Sequence, residues 1–288
     1  MRLARAAALA AALLSLSWCI TFLSEIHLNA DGSGTMVQTM TMNPQAMKGA
    51  LNSVAKGMGA SEGEVRESKT EEKGPFDEKE LAEKAKDMGE GVALVSAEKI
   101  DTPTAAGVRV TYKFRDINTF SVNPKPGAAM GTEGSGASAK GAMKFRFERR
   151  NDRSVLTVLL PPGEKKAETP LPASAPASAS ASASASADID EQQLAMFRQM
   201  MKGLHFGLAV EVNGRLLETT SPYRSGNRVT LLDVDFDPLL AKPETLKALN
   251  ARLSAAAGDD AKTAAALAEF PGMKINTKPE VLIEFSGK

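Results

Sequence analysis

Asp233, Asp235 and Asp237 alternate through a run of Leu, Val and Phe. That spacing sets their carboxylates on one side of a strand. Three carboxylates on one face are a weak candidate ligand set for a hard cation such as calcium. The reading favoured here is a solvated strand face with Leu232, Val234 and Phe236 turned inward, because no second acidic cluster stands beside them. Met36, Met40 and Met42 share one side of another strand, with Met47 shortly after. Thioether sulfur can hold Cu(I), but methionine is also an adaptable filler of apolar interiors, and core packing is preferred. His27 and His205 lie far apart, and two histidines do not close a zinc site alone. No strand–turn–helix elbow of the Gly-x-Ser-x-Gly type occurs. The expectation is a protein that is not an enzyme, with no catalytic residues, no cofactor and no metal.

Arg149, Arg150 and Arg153 gather at a hairpin tip. They can touch anionic headgroups if that tip faces a bilayer, although a solvated turn is the plainer reading. Over all 288 residues Lys plus Arg and Asp plus Glu balance at 35 each, without the basic excess of a nucleic-acid binder. No nucleic-acid partner is therefore expected. Aromatic content is 5% and methionines number 13, so the core rests on aliphatics and Met.

The single cysteine, Cys19, excludes an intramolecular disulfide framework. It follows Arg2 and Arg5 and an Ala/Leu run from Ala6 to Leu16, the build of a secretory signal. Leu16-Ser-Trp-Cys19 resembles a lipobox, in which the cysteine is lipidated and becomes the mature first residue. Trp18 departs from that pattern, which has Gly, Ala or Ser there. The rival is an uncleaved anchor, since residues 6–23 carry no charge and reach the short end of a bilayer span. From Ile20 the chain alternates, with Ile20, Phe22, Ser24, Ile26 and Leu28 on one side, a strand period rather than a helix tail. The lipoprotein reading is favoured, and either version places the rest outside the cytoplasm, anchored at a bacterial cell envelope.

The elements follow from turn and period signals. Asn29-Ala-Asp-Gly-Ser-Gly34 predicts a hairpin between strands ending at Leu28 and starting at Thr35. Asn43-Pro44 opens a helix, and residues 77–88 form a charged helix with Phe76, Leu81, Ala85 and Met88 as a thin buried edge. Strands are predicted at 92–100, 108–114, 142–149 and 154–160. Residues 161–187, only Ala, Ser and Pro from Ala173 onward, form a disordered insertion. Beyond it a helix at about 190–202 presents Leu194, Phe197, Met200 and Met201 as a broad apolar face, a candidate cover for an apolar ligand. Strands at 204–212 and 215–220 are joined by Asn213-Gly214, a strong hairpin signal. A strand at 228–236, helices at 243–256 and 260–268, and a closing strand at 278–285 complete the chain. Residues 1–18 are the signal, and 19–160 and 188–288 are the two parts of one domain. The expected fold is α+β: an antiparallel sheet built from hairpins, with helices packed on one face.

The Cys19 signal, the 29–34 hairpin, Val210-Glu-Val-Asn-Gly214, 226–236 and Pro279-Glu-Val-Leu-Ile-Glu-Phe285 resemble a family of uncharacterised bacterial lipoproteins. The layout is also similar to the LppM type of surface lipoprotein, to which lipid binding is ascribed. These likenesses imply one interrupted domain and bring no catalytic residues. The functional expectation is a non-catalytic, membrane-anchored extracytoplasmic protein that binds a lipid or other apolar ligand. The alternatives are a surface scaffold or protein-interaction module and, further off, a metal carrier or an enzyme.

Overall fold

The computed structural model describes residues 20–44, 77–123, 141–161, 198, 201–256 and 259–287. The first strands obey the period-two pattern closely. Strand β1 (Ile20–Leu28) pairs antiparallel with β2 (Gly34–Met42), closed by a turn in which Gly32 adopts φ +88°. The turn is held by Asp31, whose carboxylate accepts from the Ser33 amide at 3.0 Å and the Ser33 hydroxyl at 2.7 Å. Strands β3 (Ala93–Asp101) and β4 (Ala106–Phe114) form a second hairpin, and β4 pairs with β2. After them come β5 (Ser121–Val122), β6 (Met143–Arg150) and β7 (Arg153–Leu159), the last two joined through Asn151 at φ 49°.

The later strands are β8 (Leu204–Val212), β9 (Gly214–Thr219), β10 (Arg224–Ser225), β11 (Arg228–Asp235), β12 (Met273–Ile275) and β13 (Glu280–Gly287). They distribute over two sheets. The larger runs β10-β11-β8-β1-β2-β4-β3 with β12 also on β11, and the smaller runs β5-β6-β7-β13-β9. Each sheet contains strands from before residue 161 and strands from after residue 187.

The expected α+β layout is corrected by this arrangement. The protein is mostly β, and the layer assigned from sequence to helices is the second sheet. Ile26, Leu28, Met36, Tyr112, Leu208 and Val210 of the larger sheet share one buried cluster with Leu156, Val158, Val281, Ile283 and Phe285 of the smaller. Sheet-on-sheet burial of this kind fills the core from two alternating inner faces. Phe114, Phe120 and Phe145 stack in series, with centroids 4.8 and 5.9 Å apart, where the chain passes from the larger sheet to the smaller. Nor is the larger sheet wholly antiparallel: β1 and β8 run parallel in its middle, Ile20 opposite Leu204 and Leu28 opposite Val212.

Asn213-Gly214 does not close a hairpin. It carries the chain from β8 in one sheet to β9 in the other. Gly214 is required by close approach: a Cβ there would lie 1.9 Å from the Ser286 carbonyl oxygen.

One helix joins the edge of this core, and the other three stand apart from it. Helix α1 (Glu78–Asp87) is capped by Asp77, whose side chain accepts from the Lys79 amide, and buries Leu81 and Ala85. Helices α2 (Asp237–Leu240), α3 (Pro243–Ala255) and α4 (Asp260–Ala268) bury their thin apolar stripes in a separate cluster. Leu239, Leu246 and Leu249 pack there with Met273, away from the main core. The segments expected as a helix after Asn43-Pro44 and as a disordered insertion lie outside the described residues, apart from Pro44 and Pro161.

Candidate functional site

Where α1 meets the larger sheet, a cleft of about 50 Å³ opens on that sheet's inner face. Strand register builds its floor. One row runs Phe22, Met40, Val108 across β1, β2 and β4, and the next runs Ser24, Gln38, Val110. The first row continues sideways to Phe206 on β8, whose ring stacks on Phe22 with centroids 5.5 Å apart and planes 8° from parallel. In the second row the Gln38 amide donates to the Ser24 hydroxyl at 3.4 Å. Leu81 and Lys84, one helical turn apart on α1, supply the wall. Burial pushes the Lys84 ammonium below its ordinary value of 10.5. Phe22, Leu23, Met40, Leu81, Val108 and Val110 thus line the cleft together with Ser24, Thr39, Gln38 and Lys84, an apolar surface with a few polar groups.

Phe22 is the third residue of β1, so the cleft sits at the Cys19 end of that strand. Cys19 itself lies outside the described residues, as do Leu194, Phe197 and Met200. Met201 is described, half-buried in a helical turn ahead of Gly203. The Gly203 carbonyl accepts from the Ile20 amide at 3.3 Å, so Met201 is also near the start of β1. No described helix is long and apolar enough to cross a membrane.

Asp233 and Asp235 do share the outer face of the larger sheet, but their oxygens are already engaged. Asp233 takes His205 Nε2 at 2.7 Å and Lys274 Nζ at 2.8 Å, joining β8, β11 and β12. Partial burial pushes the Asp233 carboxyl up, while the Lys274 and His205 hydrogen bonds outweigh it and hold the group below its ordinary 3.8. One oxygen of Asp235 accepts from the Asp237 amide at 3.0 Å, and one of Asp237 accepts from the Gly203 amide at 2.7 Å. The three carboxylates brace the strand's end and the entry to β8. Among the described residues no group of three or more His, Cys, Asp or Glu is placed to hold a metal ion.

The methionine strand divides. Met36 is fully buried in the core, Met40 lies in the cleft floor, and Met42 is half-buried at the strand end. His27 lies 3.9 Å from Glu211, at the far end of β8 from His205. The arginine tip stands beside the first hairpin turn, where the Ser154 hydroxyl donates to the Ala30 carbonyl at 2.9 Å. That places it at the opposite end of β1 from Ile20, about 26 Å along the strand. Arg150 and Arg153 there pair with Glu148 and Glu284.

Ser24, Gln38 and Lys84 were not singled out from the sequence. The signal was present: Ser24 and Gln38 interrupt the apolar sides of two alternating strands, and Lys84 follows Leu81 by three on the thin buried edge of a helix.

No family model matches the chain, and no curated protein matches it. A search of solved structures finds the NMR structure of the LppM folded domain from Mycobacterium tuberculosis at 10% identity and a TM-score of 0.27, over 74% of this chain and 81% of that one.

Proposed function

We propose that the chain is a non-catalytic, extracytoplasmic binding protein, tethered at its N-terminus, that takes an apolar chain in the α1 cleft. The observation that carries this reading is the cleft's position. It opens beside Phe22 and Met40, three residues beyond Cys19, so a tether at Cys19 holds it next to the bilayer surface. At about 50 Å³ it takes only a short apolar segment against the Phe22–Met40–Val108 row, well under the ~300 Å³ of a pocket that engulfs a ligand. The engaged state of Asp233, Asp235 and Asp237 speaks against the metal-carrier reading. A protein-interaction role has one specific observation in its favour. Strand β3 forms an edge of the larger sheet, and Val95 on it is 54% exposed, a surface open to strand addition.

Mass spectrometry of the protein extracted from native membranes tests the proposal. The expected result is lipid on Cys19 or retention of residues 1–18, with a bound apolar molecule that is lost in Val108→Trp. An unmodified full-length chain recovered from cytosol, or identical bare masses for both proteins, overturns it.

A further inference from the structure

We infer that the protein carries a second binding site, apart from the α1 cleft, in which Arg215 and Arg224 receive the carboxylate of a small monoanionic ligand. The site is an open bowl of about 510 Å³ lined by residues of β9, on the edge of the smaller sheet, and β10, on the edge of the larger. That volume lies within the range of small-molecule sites. Strand β8 separates it from the cleft: Phe206, opposite Phe22, lies near the start of β8, and the corner that builds the bowl adjoins Val212, its last residue.

The backbone bearing the two arginines is fixed from both sides. The Asn227 carbonyl accepts from the Val212 amide at 3.0 Å, and its side-chain oxygen accepts from the Leu216 amide at 3.4 Å. This ties the turn after Arg224 to the residue after Arg215. Between the strands the buried Ser221 hydroxyl donates to the Thr230 carbonyl at 3.4 Å and accepts from the Tyr223 amide at 3.2 Å. A backbone set in advance removes part of the ordering cost of binding.

Register places Arg153, Ser286 and Arg215 in one row across β7, β13 and β9, with Glu284 opposite Glu218 in the next. Arg153 is already engaged, its Nη1 2.8 Å from Glu284 Oε1. Arg215 and Arg224 are exposed, and among the described residues neither has an ion-pair partner. The bowl's three arginines against its two glutamates, Glu218 and Glu284, leave one positive charge, which a single carboxylate balances. A dianion such as sulfate or phosphate exceeds that charge and meets Glu218 as well. The planar guanidinium fork also matches the two oxygens of a carboxylate. Only Leu216 and Leu217 of the lining are apolar, so the ligand is polar.

The test uses the full chain, labelled with nitrogen-15 arginine and purified in mild detergent. It is titrated with N-acetylglycine and with the uncharged amide of that compound, and NMR reads the arginine Nε–H resonances. Arg215→Gln and Arg224→Gln identify the two signals, and because both residues are exposed the variants should melt like the parent. N-acetylglycine is expected to move both signals along one saturating curve. The amide, and the acid with either Gln variant, should bind about tenfold more weakly, the loss of one charge-assisted hydrogen bond. Arg149→Gln, at the hairpin tip outside the bowl, should leave the curve unchanged. Sulfate should bind the parent more weakly than N-acetylglycine and bind Glu218→Gln about tenfold more tightly than it binds the parent. Shifts that never saturate, an equal response to acid and amide, or an equal loss in Arg149→Gln overturn the site and leave a solvated surface of mixed charge. Sulfate binding the parent more tightly than N-acetylglycine overturns the monocarboxylate assignment.

Discussion

Phe22 and Phe206 are register partners in the parallel β1–β8 pair, and their rings stack nearly face to face with centroids 5.5 Å apart. The contact ties the first strand, whose Phe22 lines the candidate site, to one from the far half of the chain. Phe206→Ala is expected to lower stability by roughly 2–3 kcal/mol, under the range for a fully buried ring because Phe206 is only half-buried. Urea denaturation checks it, with the midpoint falling and the slope unchanged.

Asp233 makes a pH prediction with a definite sign. Its folded carboxyl is held below 3.8, so its contribution is present above that value and is lost as pH falls through the lower folded value. The side chain is partly solvated, so the contribution is about 1 kcal/mol or less after screening. Asp233→Asn should be less stable than the parent at neutral pH, and the difference should shrink in acid below about pH 3.8. Urea midpoints across that range measure it. A gap that stays constant into acid excludes the carboxylate as its source.

Tyr112 is fully buried, and its hydroxyl has no hydrogen-bond partner among the described residues. An orphaned buried hydroxyl is costly, so Tyr112→Phe should stabilise the protein by about 1 kcal/mol at neutral pH. Burial also pushes the phenol up to about 12 from 10.0. The folded state therefore holds its proton longer than the unfolded one, and stability drains away as pH rises from 10.0 towards about 12. The Phe variant should lose less stability over that interval.

Two glycines separate close approach from backbone conformation. Gly214→Ala drives a Cβ to 1.9 Å from the Ser286 carbonyl, a collision with backbone that must open the β9–β13 pairing. A loss of more than about 3 kcal/mol is expected. Gly226, at φ +58° with nothing within 4 Å of an added Cβ, should tolerate Ala at a cost of about 1 kcal/mol. Thermal melts of the two variants make the comparison.

Strand positions were legible because period two and turn chemistry are local. The first hairpin, the β3–β4 and β6–β7 pairs and the closing strand follow the alternation within one or two residues. What covers an inner face is not local information. Alternation shows that Ile26, Leu28 and Met36 turn inward, but not that Leu156, Ile283 and Phe285 meet them. The helical patterns at 243–255 and 260–268 suggested a covering layer, yet those helices satisfy their narrow stripes with Leu239 and Met273. Asn213-Gly214 shows the same limit. The dipeptide marks a turn, and tertiary pairing decides whether the next strand returns to the same sheet. At the site, the shared face of Asp233 and Asp235 could be read from spacing. Their engagement could not, because His205 and Lys274 come from other strands.

The middle position of β1 has a consequence for how the protein is made. Its one edge is satisfied early by β2, but the other waits until some 180 further residues have been synthesised and delivered, since β8 begins at Leu204. Until then the nascent larger sheet exposes an unpaired strand bearing Phe22 and Ile26, an invitation to stick to neighbouring chains. Long-range pairing of this kind slows folding, so refolding from urea is expected to be slower than for a sheet closed by local hairpins alone.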